Sequence, residues 1–178
     1  MDINDDVDWY LGTDQKPPAS KYNLASICFH ELFHGVHMTG FGFDMKKVGD
    51  HNEATSLSPN YRNIFDGFIT FGTTDHRDCP LYSIKDDPKK LAAALTGGNL
   101  WFRTSERRIA RLNAPEQFTT SSVYHLNPDY YGEESDLVKP HVHDGVAIHS
   151  PGPQVLLILN SLLNLTETPV SMCESSEE

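Results

Sequence analysis

His30 and His34 stand four residues apart with Glu31 between them, in the run His30-Glu31-Leu32-Phe33-His34. Two imidazoles at this spacing face one point when the chain between them is helical, because four residues bring a side chain back to within about 40° around the axis. The run therefore calls for a helix from about Asn23 to about Gly35, with Asn23 able to cap its start. Leu24, Ile27, Cys28, Leu32 and Phe33 supply its apolar faces. The apolar lead-in Ala25-Ser26-Ile27-Cys28-Phe29 predicts a largely buried helix. Paired histidines buried in this way need a partner, and a metal ion is the economical one.

Glu31 projects beside the two histidines, where its carboxylate can take a proton from metal-bound water. This is the arrangement with which zinc hydrolases activate water near neutral pH. A catalytic zinc usually keeps three protein ligands and one open position. The third ligand is open at this stage. His37 is nearest, but a continuing helix carries it about 10 Å along the axis from His30, so a break at Gly35 would be needed. His51 and His76 fall in expected loops, and His125, His141, His143 and His149 remain as distant candidates.

The rest of the chain sets bounds. A length of 178 residues favours one domain with a core of its own. The net charge of -11 argues against a nucleic-acid partner, which would require a basic face. No apolar run approaches a membrane span, and the acidic stretch from Met1 to Asp8 lacks the features of a signal peptide. Cys28, Cys79 and Cys173 are odd in number and show no spacing pattern, so they predict neither a disulfide framework nor a cysteine metal site. Cys28 is expected as a small core residue. Asn164-Leu165-Thr166 is a glycosylation sequon of the kind that also arises by chance.

Pro17-Pro18 close a turn-rich lead into the helix, and residues 40–80 suggest loops and short extended pieces, with a strand over Ile64 to Phe71. A short helix at Leu91 to Leu95 ends on Gly97-Gly98, and Asn99 to Arg103 is expected extended. Residues 112–153 are loop-like. Gln154 to Leu165, entered through Pro153, is expected as a buried terminal helix. Residues 167–178 are acidic and serine-bearing, which predicts a disordered tail.

Several blocks resemble a known family. Asp8-Trp9-Tyr10-Leu11-Gly12-Thr13-Asp14, Pro17-Pro18-Ala19 and Tyr22-Asn23-Leu24 precede the helix. Leu112-Asn113-Ala114-Pro115, Ser121-Ser122-Val123-Tyr124-His125-Leu126 and Gly145-Val146-Ala147-Ile148-His149-Ser150-Pro151-Gly152-Pro153 follow it. In this order they resemble secreted metzincin-type zinc proteases over roughly residues 8 to 163, with residues 44 to 90 matching only loosely. The resemblance to leishmanolysin-like members implies His125 as the third ligand. It implies that Leu137-Val138-Lys139-Pro140 stands for the Met-turn and that His149 is a hydrogen-bonding group. Tyr124, Tyr130 or Tyr131 would stabilise the oxyanion. Val138 departs from the methionine of that turn, His37 departs from the glycine after the second ligand, and the family has substantial sequence upstream of residue 8.

The expectation is thus an α+β, metzincin-like zinc peptidase core with an active-site helix, a loop-rich C-terminal half, a terminal helix and an N-terminal sheet that is reduced or missing. Residues 1–166 form a single metallopeptidase-like domain and 167–178 its disordered tail. His30, His34 and His125 hold Zn2+, Glu31 is the catalytic base, and the substrate is a peptide or protein, with no nucleic acid and no membrane span. The resemblance implies an extracellular location. The alternative is a catalytically inactive relative that keeps zinc as a structural or interaction module.

Overall fold

The computed structural model describes residues 3–36, 38–40, 42–57, 63–72, 78–131, 137–164 and 167–173. Helices and small sheets are mixed, giving an α+β architecture. Strands β1 (Trp9–Tyr10) and β2 (Tyr22–Asn23) pair in parallel and lead directly into helix α1 (Leu24–Val36). An antiparallel hairpin follows, β3 (Phe43–Val48) and β4 (His51–Ser56). Its two-residue turn has Gly49 at φ 63°, the left-handed position that a tight hairpin turn opening on glycine requires.

The main sheet has four antiparallel strands in the order β6 (Asp78–Pro80), β5 (Ile69–Gly72), β7 (Leu100–Arg103), β8 (Arg108–Leu112). Ahead of β5 lies a single helical turn, α2 (Ile64–Gly67). The expected strand over Ile64 to Phe71 is therefore only half present. Asn63 explains the difference: its Oδ1 accepts from Phe65 N at 3.3 Å while its own N–H donates to Asp66 Oδ2 at 3.1 Å, which caps a helix start.

Helix α3 (Pro88–Thr96) starts on an Asp87 cap and is followed by Gly97-Gly98, with Gly98 at φ 68°. It packs on β4. A short helix α4 (Pro128–Tyr131) interrupts the loop-rich C-terminal half, and α5 (Pro153–Leu163) packs on β8. Phe65, Phe68 and Phe102 form the aromatic centre of the core, with ring centroids 5.1 and 5.0 Å apart for Phe65–Phe102 and Phe68–Phe102. Leu91, Leu95, Leu100, Leu112, Leu126 and Ile158 close around it.

Four further expectations are corrected. The C-terminal segment is tied down across its described part: Thr104 bridges Pro169, and Ser105 N donates to Thr168 O at 2.8 Å. Residues 174–178 lie outside the described residues. Cys79 on β6 is disulfide-bonded to Cys173, 94 positions away, a pairing made only when the tail crosses back over the sheet edge. Cys28, the remaining thiol, is half-buried rather than part of the core.

The fourth correction concerns α1, which is buried along one side only. Its inward side carries Ser26, His30 and Phe33, next to the buried cap Asn23, while Leu32 is 62% exposed and Ala25, Glu31 and Gly35 also face outward. In this stripe Ser26 and His30 hydrogen-bond to the segments that cover them, while Phe33 joins the apolar core. Among the described residues no helix is long and apolar enough to cross a membrane.

Candidate metal centre

Helix α1 is fixed at its N-terminal end by a polar knot. Asn23 Oδ1 accepts from Ser26 N at 2.9 Å, from Ser26 Oγ at 3.1 Å and from His149 Nε2 at 3.1 Å. The 145–149 segment lies along this end: Gly145 N donates to Lys21 O at 2.9 Å and Ile148 N to Ser26 Oγ at 2.8 Å. Gly145 is required there. It sits at φ 70°, and a Cβ would come within 2.9 Å of Ala19 Cα. His149 thus bonds to the helix cap and stands apart from the metal candidates.

His125 reaches the helix from the other half of the chain. Asn113 N donates to His125 O at 2.8 Å, Leu126 pairs with Leu112, and Leu126 N donates to Val138 O at 2.8 Å. The 125–126 stretch is therefore held between the end of β8 and the 137–138 segment. Two residues before His125, Val123 adopts φ 76° while fully buried, with its N–H bonded to Asn113 O at 2.7 Å. A β-branched residue in this region is strained by roughly 1–3 kcal/mol, and such strain is tolerated where surrounding contacts over-determine the backbone.

His30, His34 and His125 converge so that one nitrogen from each lies within 4.8 Å of the other two. His34 Nε2 is 3.1 Å from His30 Nε2 and 3.1 Å from His125 Nε2. Tetrahedral zinc with bonds of about 2.0–2.1 Å would separate two ligand nitrogens by about 3.3–3.4 Å, so these spacings need to change by only a few tenths of an ångström.

The hydrogen bonds on the opposite ring edges are more telling. His30 Nδ1 lies 2.8 Å from Leu137 O, and His34 Nδ1 lies 2.9 Å from Met38 O. A carbonyl only accepts, so both Nδ1 atoms carry the proton. In the neutral rings both Nε2 atoms then present lone pairs to each other. Two lone pairs at 3.1 Å repel unless a cation lies between them. Anchoring Nδ1–H on a carbonyl is also how metal-binding histidines are oriented.

Burial favours the neutral rings. It lowers the His30 pKa, assisted by the nearby His34 and opposed by the Leu137 carbonyl and the Glu31 carboxylate. It also pushes His125 down to about 3, with His34, His30 and His141 adding like charge. His125 Nδ1 is buried without a hydrogen bond of normal geometry, although the Ser121 backbone favours its protonated form. His30 and His125 are thereby held toward the neutral form, and with His34 the three rings converge as a donor set that could hold a metal ion.

Glu31 is exposed, and its carboxylate lies outside the three-nitrogen group while still acting on His30. It faces a groove shared with Asn4, Val7, Trp9 and Cys28. Helix α1 continues through Val36, so the break at Gly35 that would bring His37 to the same ion is absent. His37 and His76 lie outside the described residues. His51 begins β4 and contacts Asp50 and Glu53, both at 3.2 Å. His141 and His143 are exposed in the cleft beyond Pro140.

The expected tyrosines are engaged elsewhere. Tyr124 OH donates to Asp66 Oδ1 at 3.0 Å and accepts from Gly42 N at 3.3 Å; burial and that carboxylate hold its pKa well above the usual phenol range. Gly40 makes this placement possible, since a Cβ there would come within 2.6 Å of the Tyr124 ring. Tyr131 OH accepts from Arg111 N at 2.7 Å, and Tyr130 packs edge-on against Trp101.

Sequence reasoning missed two members of this centre, the carbonyls of Leu137 and Met38. Any residue supplies a carbonyl, so no side-chain pattern marks them. Comparison of the chain with protein-family models, with curated proteins and with solved structures returned no match.

Proposed function

We propose that this chain is a zinc-dependent endopeptidase of metzincin type, with His30, His34 and His125 as the metal ligands and Glu31 as the general base. The observation that carries the proposal is the convergence of three imidazoles, two with Nδ1–H anchored on carbonyls and lone pairs aimed at a common point. Zinc bound there would polarise a substrate carbonyl and lower the pKa of water to near 7. Glu31, one residue along the helix from His30, takes the proton of the attacking water and returns it to the leaving amine. An extracellular location belongs to the same proposal, and the Cys79–Cys173 disulfide is compatible with it.

The test combines metal analysis of the purified protein with peptide cleavage by wild type and Glu31→Gln. Stoichiometric zinc in both proteins, with turnover at least 100-fold lower in the variant, is the expected result. A wild type without zinc, or a Glu31→Gln variant that cleaves as well as wild type, overturns the mechanism.

One observation favours a second reading. The Glu31 carboxylate faces a groove lined by the N-terminal segment and stands outside the ligand group. In that reading the chain is an inactive relative that keeps zinc as a structural or interaction module. Stoichiometric zinc with no cleavage of a diverse peptide library would select it.

A further inference from the structure

We propose that Asn164 is a modification site that carries an N-linked oligosaccharide, placed where the chain leaves helix α5. The proposal rests on the extracellular part of the reading above and not on its chemistry. Asn164-Leu165-Thr166 is the acceptor pattern, an asparagine followed two residues later by threonine with no proline between. No other asparagine of the chain is followed two residues later by serine or threonine. The pattern by itself leaves two conditions open. The asparagine must stand at the surface, and the chain must pass through an oxidising, secretory compartment.

The fold meets the first condition. Helix α5 buries Val155, Ile158, Ser161 and Leu162. Leu156, Asn160 and Leu163 are exposed on its outward side, and Asn164 follows, itself exposed, at the end of that side. It caps the helix with φ -85° and ψ 105°, so the chain passes there from helical to extended backbone. Its N–H donates to Asn160 O at 2.9 Å and its carbonyl accepts from Glu167 N at 3.1 Å, which fixes its backbone. Asn23, Asn113 and Asn127 are by contrast buried, and their side chains tie parts of the fold together through Ser26, Ser121 and Tyr130. The acceptor pattern thus falls on an asparagine that the fold leaves at the surface.

The disulfide speaks to the second condition. Cys173, nine positions beyond Asn164, is bonded to Cys79. Such bonds form and persist in the secretory and extracellular compartments, which are also where asparagine acquires its sugar. The same strap is held by Ser105 N on Thr168 O and by the bridge from Thr104 to Pro169, which leaves Asn164 between α5 and a fastened segment. The sugar comes from a lipid-diphosphate-linked oligosaccharide through a transferase of the cell. Asn164 Nδ2 bonds to the anomeric carbon and gives up one proton. The bond from that carbon to the diphosphate oxygen breaks, and its electron pair leaves with the lipid diphosphate.

The test exports the full chain from eukaryotic cells behind a secretion signal that is removed on the way, as wild type, Asn164→Gln, Thr166→Ala and Thr166→Ser. Two readouts are taken on the same samples: the loss of gel mobility that peptide N-glycosidase reverses, with the mass of the peptide containing position 164, and thiol labelling of Cys79 and Cys173. Neither depends on zinc or on cleavage. The sugar is expected in wild type and in Thr166→Ser, which keeps the hydroxyl, and is lost in Asn164→Gln and Thr166→Ala. The disulfide is expected closed in all four. Exported wild type with the disulfide closed and Asn164 unmodified overturns the site while the extracellular reading stands. Exported wild type with both thiols free and no sugar overturns the two together. A sugar that persists in Asn164→Gln lies elsewhere and also overturns the assignment.

Discussion

A single oxygen, Asn23 Oδ1, receives three donors, two from Ser26 and one from His149, and is fully buried. Asn23→Ala leaves those donors without an acceptor and removes the cap of the helix that carries His30 and His34. A loss of about 1–3 kcal/mol is expected in urea denaturation; a change within 0.5 kcal/mol would mean the knot contributes nothing. His125 makes a second prediction, on pH. Its folded pKa is depressed to about 3 from an ordinary 6.5, first by burial and then by neighbouring histidine charge. In metal-free protein the unfolded ring takes up a proton as pH falls through about 6.5, while the folded ring stays neutral until about 3. Stability is therefore fully present above 6.5 and is lost as the solution is acidified. The slope from this one ring tends to about 1.4 kcal/mol per pH unit. Denaturation of chelator-treated protein from pH 7.5 to 4.5 checks the sign, with His125→Gln as the variant in which the slope flattens. An equally steep decline in that variant assigns the effect to other groups.

At the level of elements, legibility followed how local the deciding physics is. Helix α1 was readable because two histidines at i and i+4 demand it, and α3 because Gly97-Gly98 stop it. Pro153 likewise announced α5 as its first residue. The β3–β4 hairpin is faint in the sequence although Gly49-Asp50 separates two six-residue runs, because apolar alternation is limited to Phe43 and Met45 and β4 is mostly polar. The capping pair Asn63 and Asp66 is a local signal, but the aromatic run that follows it carries a competing strand pattern. Which side of α1 turns inward was not local at all: it depends on Leu137, Ile148 and His149, more than 100 residues away. The clasp on β6 is non-local in the same sense. Cys79 and Cys173 close a loop spanning 94 positions, and opening it releases the segment that bridges Thr104 to Pro169. Cys173→Ser is expected to lower stability by about 2–4 kcal/mol in urea denaturation, chiefly by enlarging the unfolded ensemble. The same cost should appear when the wild type is reduced. A Cys173→Ser protein as stable as oxidised wild type would show that the clasp holds nothing the rest of the fold does not already hold.

For the molecule as a whole, the candidate metal centre is where three remote stretches meet: α1, the 125–126 segment beside β8, and the turn at Leu137. At α1 the buried stripe combines polar Ser26 and His30 with Phe33 of the core, while Leu32 is exposed. An ion shared by His30, His34 and His125 would join the two halves of the chain at this meeting point. Without it, the lone pairs of His30 Nε2 and His34 Nε2, 3.1 Å apart, oppose the same arrangement. Metal removal should therefore act on global stability and not on the site alone. With free zinc about 1,000-fold above its dissociation constant, the linkage is worth about 4 kcal/mol, or roughly 8–16 °C in Tm for a chain of this size. Calorimetry before and after chelation, and again after zinc is restored, measures it. His34→Ala should melt near the chelated wild type and respond to neither treatment, since it removes the ring that contacts both others. A wild-type Tm that stays put on chelation and on zinc addition would mean that the three histidines are held by the fold alone, and the metal-based readings of this chain would fall together.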